Sequence, residues 1–343
     1  MDVAPPSEPS PPPAFPPALN DAGVRGRTRP LFEELPPGPP AWPGWLAMGL
    51  AVVALLVAGA ISWAAQNRGL SATDALVAGA CLLGSAGLLL VGLVWIPLAG
   101  ILRRRVLPEN RYRGGSVIAL LLLAIIGGAI LSAPVLLALA NWDANLLQAP
   151  PPALLTFELL VTPLSFLAVL IVFVALPRAL PGLRLWRGWQ SVAQLAVGAA
   201  LGVATWIAIG LAAAAIESLL SRLGINLEGQ QEVVGLATKV NPVVAVLTIA
   251  ILAPVAEELF FRGLAFNAWE REYGTRRAVL GSALLFSVAH IPGGGGVAAV
   301  VIIFALGLIL ALVFARTRTI ATTIGLHAFF NLATLVVLFA GLQ

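Results

Sequence analysis

The chain has 343 residues, 59% of them hydrophobic and 10% charged, with a mean hydropathy of +0.95. Soluble domains carry about 25% charged residues. A water-soluble enzyme is therefore excluded, and apolar runs between short polar loops predict an all-α, polytopic transmembrane helical bundle rather than a barrel. The formal net charge of +4 does not argue for nucleic acid, because the arginines stand at the ends of the apolar runs, and the one cysteine, Cys81, allows no disulfide within the chain and no cysteine-based metal site.

Residues 1–44 are rich in proline and lack helical periodicity, which predicts a disordered or polyproline II tail. No cleavable signal peptide is visible, and the first apolar run, starting near Trp45, is expected to act as the membrane signal. Candidate spans follow at roughly 45–65, 75–102, 116–140, 153–176, 190–216, 242–266, 278–291, 297–315 and 320–341, so eight to nine crossings are expected. Residues 45–216 would form an N-terminal group of helices. Residues 217–241 have a mixed composition that suggests an amphipathic segment at the membrane surface, and residues 242–341 would form the core that carries the chemistry. The seventh span is short and runs into a glycine stretch ending at Gly296, which suggests a tilted or re-entrant helix shielded by protein. Pro97, Pro134 and Pro163 lie within spans, and no internal repeat is visible.

Charge asymmetry orients the bundle. With the N-terminus in the cytoplasm, sixteen basic residues fall in cytoplasmic segments and three, Arg68, Arg222 and Lys239, on the opposite side. The excess marks the cytoplasmic face.

The twentieth basic residue, Arg262, lies within the sixth span together with Glu257 and Glu258. Ionisable groups inside an apolar span are costly and mark function by default. Glu258 and Arg262 stand four apart on one helix face, the acid N-terminal to the base, which predicts an ion pair. Glu257 lies about 100° further round the helix and is free to face elsewhere. Both histidines of the chain fall in the last third, His290 closing FSVAH and His327 opening HAFFN, with Asn331 one turn after His327. At ~1.5 Å per residue, Glu257, His290, His327 and Asn331 lie about 15, 18, 10 and 16 Å from the cytoplasmic ends of their helices. Three helices thus bring polar groups to a similar depth, where they could line one cavity more open to the cytoplasm than to the far side.

A glutamate and a histidine together can activate water, and a second histidine with an asparagine amide can donate to a developing oxyanion. This is apparatus for hydrolysing an amide bond. The same oxygen and nitrogen donors could alternatively hold zinc with three protein ligands and a water. A non-enzymatic scaffold and a proton-relaying transporter are the rivals from other classes. The transporter reading would gain from an inverted repeat.

The ordered set Glu257-Glu258-Leu-Phe-Phe-Arg262, Phe286-Ser-Val-Ala-His290 and His327-Ala-Phe-Phe-Asn331 resembles the EExxxR, FxxxH and HxxxN motifs of the CPBP family, which includes the CAAX proteases, the type II CAAX prenyl endopeptidases and the bacteriocin-processing enzymes. The resemblance covers about residues 242–335. It implies a multi-spanning intramembrane endopeptidase in a bacterial cell membrane, acting on a peptide or protein near the membrane, with lipids as its other partners. It further implies Glu257 as the base acting with His290 on water, His327 and Asn331 as the oxyanion site, and Glu258 and Arg262 as structural support. The family was named metalloprotease by analogy, but the mechanism inferred for its prenyl endopeptidases needs no metal. No cofactor is therefore expected, with zinc left open. Some members are described as scaffolds or immunity proteins, so the motifs alone do not identify a substrate.

Overall fold

A computed structural model describes residues 36–65, 69, 71–142, 151–222, 232–291 and 296–341. These residues form helices and turns, with no strand among them. In chain order the helices are α1 (Trp42–Ala65), α2 (Ala72–Arg104), α3 (Val117–Trp142), α4 (Pro152–Ala175), α5 (Trp189–Arg222), α6 (Glu232–Ala237), α7 (Pro242–Tyr273), α8 (Thr275–Ala289), α9 (Gly296–Thr317) and α10 (Ile320–Phe339). Seven of them, α1, α2, α4, α5, α7, α9 and α10, are long and apolar enough to cross a membrane, and α3 holds a shorter apolar run, Val117–Ile130. The chain is an all-α polytopic membrane protein.

The nine predicted spans coincide with α1–α5 and α7–α10. The seventh, expected over 278–291, is the 15-residue α8. At 1.5 Å per residue it reaches only about 22 Å, less than the ~30 Å hydrocarbon core. The expected surface segment 217–241 divides differently. Residues 217–222 complete α5, 223–231 lie outside the described residues, and α6 buries Ala237 beneath the start of α7. Of the expected tail, residues 1–35 lie outside the described residues. Its final part, Pro36 and Pro40, runs along α2, where their carbonyls accept bonds from Arg103 Nε and Trp95 Nε1.

Local chemistry sets several boundaries. Ser71 and Asp74 form a reciprocal capping box at the start of α2. Asn241 caps α7 ahead of Pro242, whose missing N–H costs nothing at a first helical position. Gly274, with φ +84°, separates α7 from α8, a left-handed conformation natural to glycine.

Two stretches of α7, Val246–Leu252 and Leu259–Phe266, are π-wound. The first precedes Pro254, whose ring would collide with the Ala250 carbonyl in a regular α-turn. Widening the turn relieves that clash. The Ala253 N–H then bonds to the Thr248 carbonyl, five residues back. The Ile249 carbonyl, next in that register, faces a proline with no N–H to give.

The aromatic residues Phe260 and Phe261 of α7, Phe166 of α4 and Phe286 of α8 pack edge to face, with centroids 5.0–5.3 Å apart in the Phe166–Phe260, Phe260–Phe261 and Phe261–Phe286 pairs. This cluster fixes α7 at the centre. On its flank, α10 lies directly on α5. A Cβ on Gly198 or Gly202 would collide with the Thr322 or Leu326 carbonyl oxygen, and one on Gly325 with that of Leu195. Small residues permit this backbone approach between membrane helices. Gly202→Val should therefore force α5 from α10 and cost about 1–3 kcal/mol, read as a lower melting temperature in detergent. Gly210→Val on the same helix, where a Cβ meets nothing within 4 Å, should leave it unchanged.

Candidate active site

The middle of α7 brings Glu258 and Arg262 into the protein interior, where both are fully buried. The predicted ion pair is present, with Arg262 Nη1 donating to Glu258 Oε1 at 2.7 Å. Arg262 Nη2 also donates to the Gly307 carbonyl of α9 at 2.9 Å, and the guanidinium lies over the Phe286 ring at 4.8 Å. Glu258 has a second partner that the sequence motif does not reveal. His327 Nδ1, on α10, lies 3.1 Å from the same Oε1. A carboxylate accepts, so His327 donates from Nδ1 and turns Nε2 toward Glu257, 3.9 Å from its Oε2.

His290 is oriented by its own helix end. The α8 ladder tightens at its last turn, with the His290 N–H bonded to the Ser287 carbonyl. The Phe286 carbonyl is thereby left without its usual backbone donor. The His290 ring supplies one, with Nδ1 at 2.7 Å. Its Nε2 then carries the lone pair and stands 3.6 Å from Glu257 Oε2.

Glu257 is the convergence point. Its Oε2 is buried, accepts no hydrogen bond from the described residues, and stands opposite both imidazole Nε2 atoms. Separations of 3.6 and 3.9 Å are too long for direct bonds, and they suit groups that share a water or a substrate atom. They also exceed the about 3.3 Å between two donors on a tetrahedral zinc with bonds of ~2.0–2.1 Å. No group of three His, Cys, Asp or Glu side chains among the described residues is arranged to hold a metal ion.

Asn331 stands one turn beyond His327 as predicted, but its amide is partly committed. Nδ2 donates to the Ile249 carbonyl at 2.9 Å, the group that Pro254 and the π turn leave without an N–H. An amide carries two N–H bonds, so one remains beside the cavity that Asn331 lines.

Glu257, His290, His327 and Asn331 all line one cavity of about 460 Å³. The depth estimate brings the right residues together, but the cavity extends differently from expected. From the Glu257 level it runs past Thr248 and Ile249 of α7 and Thr334 and Leu335 of α10 to Glu158 of α4 and Leu236 of α6. These residues lie toward the arginine-poor ends of their helices, opposite to the predicted side. The reason is packing: the arginine-rich half of α7 is sealed by the phenylalanine cluster. Glu158 and Thr162 were missed as lining residues. The legible signal was Glu158, the lone acid in the apolar run Pro152–Leu170.

The buried pair carries a stability prediction. Removing one partner of a buried ion pair leaves an uncompensated charge and costs roughly 3–5 kcal/mol. Arg262→Ala should therefore lower the unfolding temperature of the purified protein sharply. Arg262→Lys should recover only part of it, because a point-charge ammonium cannot serve Glu258 and Gly307 with the same fork. An Arg262→Ala protein as stable as wild type would assign the arginine elsewhere.

Residues 239–333 match the family model described as Rce1-like, type II CAAX prenyl endopeptidase Rce1-like. No curated protein and no solved structure matches the chain. The matched segment spans α7, α8 and α9, reaches into α10, and contains Glu257, Glu258, Arg262, His290, His327 and Asn331. The match covers under a third of the chain, and in this segment the chain is similar to the CAAX-protease family.

Proposed function

We propose that the protein is an intramembrane endopeptidase in which Glu257 and His290 activate a water. The observation that carries this reading is the Glu257 Oε2 atom, buried at the cavity wall without a donor among the described residues and faced by two imidazole nitrogens. A water held by Glu257 Oε2 and His290 Nε2 gives its proton to Glu257 as its oxygen attacks the peptide carbonyl. Glu257 returns that proton to the leaving nitrogen. Charge develops on the carbonyl oxygen, where the second N–H of Asn331 and a protonated His327 Nε2 donate to it. Glu258 supports that form of His327 by accepting from Nδ1. No step requires a metal. The substrate is a peptide or protein segment that enters the membrane region, and lipid surrounds the apolar outer faces of the helices. The arginine distribution favours a cytoplasmic N-terminus.

The deciding experiment compares wild type and Glu257→Gln in proteoliposomes against a peptide library. The Gln variant should keep its expression and melting temperature and lose turnover, while wild-type turnover in that variant would refute the base. A scaffold predicts cleavage by neither. Asn331→Ala should lower turnover by roughly 10²–10³-fold, the loss typical of one oxyanion donor, with little change in KM. Prolonged chelation should leave activity intact. Stoichiometric zinc whose removal abolishes activity and whose return restores it would replace this mechanism with a zinc-dependent one.

A further inference from the structure

The two ends of the bundle are built differently around the site. Every residue of α7 from Phe260 to Ala268 is buried, and so are His327 and most of α10 before it. Beyond them the arginine-rich end is tied shut. Arg271 Nη1 and Nη2 donate to the Glu109 and Pro181 carbonyls, joining the loops after α2 and α4. Arg318 grips Glu270 with two bonds of 2.6 and 2.8 Å, and Thr275 adds a third to that carboxylate. Nothing that lines the cavity lies on this side of Phe261 along α7.

At the other end the lining changes character. Glu158 and Thr162 of α4 are exposed and line the same cavity, and Asn331 and Thr334 of α10 are half-buried along it. Polar groups within a lipid-facing wall would be costly, so their presence along one track from Glu257 marks a wetted path. Leu236, on the short α6 outside the candidate spans, lies at the far end of that track.

Building on the protease reading, we infer that the cavity is entered from the arginine-poor face and that the substrate is a peptide segment presented there. By the charge rule this is the extracytoplasmic face. A chain end arriving from the arginine-rich side meets the sealed half of α7. The walls between the polar groups are apolar, including Ile249, Ile303, Leu306 and Phe330, so the occupant is an extended stretch with apolar side chains.

Access can be read without turnover, because Cys81 is the chain's one cysteine. In a full-length Cys81→Ser background, Thr334→Cys and Thr162→Cys probe the cavity. Glu109→Cys marks the arginine-rich face and Ser218→Cys, near the end of α5, the other. Each variant is treated in sealed, oriented vesicles with a charged, membrane-impermeant maleimide applied from one side at a time. Both cavity cysteines should react from the side that labels Ser218→Cys and be protected from the side that labels Glu109→Cys. Reaction from the Glu109 side overturns the inference. So does reaction with a membrane-permeant maleimide alone, which would mean entry from lipid, and so does absence of reaction with either reagent. In a second arm, impermeant peptides are supplied to one face of proteoliposomes, and cleavage should occur from the Ser218 face. Cleavage confined to the Glu109 face also overturns the inference. Absence of cleavage from both faces counts against the protease reading alone, since labelling reports the entrance independently.

Discussion

One carboxylate oxygen holds the C-terminal helices of this protein together. Glu258 Oε1 accepts from Arg262 on its own helix and from His327 on α10. Arg262 in turn bonds the Gly307 carbonyl of α9 and lies over Phe286 of α8. A single desolvated ion pair thus touches α7, α8, α9 and α10. In a membrane there is little hydrophobic force between helices, so polar bonds and close packing set which helices meet. A buried charge is costly unless it is paired and hydrogen-bonded; this arrangement serves Glu258 Oε1 and both Nη atoms of Arg262, while Glu258 Oε2 and Arg262 Nε have no hydrogen-bond partner among the described residues. The pair also orients the candidate site, because the bond to His327 Nδ1 decides which ring nitrogen faces Glu257.

Irregular backbone supplies the remaining alignment. Pro254 cannot donate a hydrogen bond, the turn before it is π-wound, and the Ile249 carbonyl is left for Asn331. At the end of α8 the last turn tightens, and the Phe286 carbonyl is left for the His290 ring. Both site residues are positioned by a backbone acceptor that regular helix would have occupied. Backbone of this kind persists at membrane depth only where protein or a wetted cavity receives it. Here it is the wall of the cavity.

The site is also asymmetric along the membrane normal. Aromatic rings and arginine-to-carbonyl bonds close the arginine-rich end, while threonines, Asn331 and Glu158 line the path toward the other. The same Phe261 and Phe286 rings that seal one half form the floor of the cavity in the other half. Closure at one end and access at the opposite end are therefore consequences of one packed cluster.

Much of this was legible in the sequence. Apolar runs as long as a bilayer is thick dictate membrane helices, and seven of the nine expected spans fall on helices long and apolar enough to cross. The four-residue spacing of Glu258 and Arg262 dictates their pairing, because it is a property of one helix. The cost of placing Glu257, His290, His327 and Asn331 in apolar helices marks them as a site. Relations between helices were not legible. The sharing of Glu258 with His327 and the donation of Asn331 to Ile249 join residues 69 and 82 positions apart. The direction of the cavity depends on which half of α7 the phenylalanines cover, and every one of those rings is equally apolar on paper. Spacing along a chain fixes what shares a helix face. Which face meets which neighbour is decided only when the helices pack and groups such as His327 and Asn331 meet acceptors on another stretch of chain.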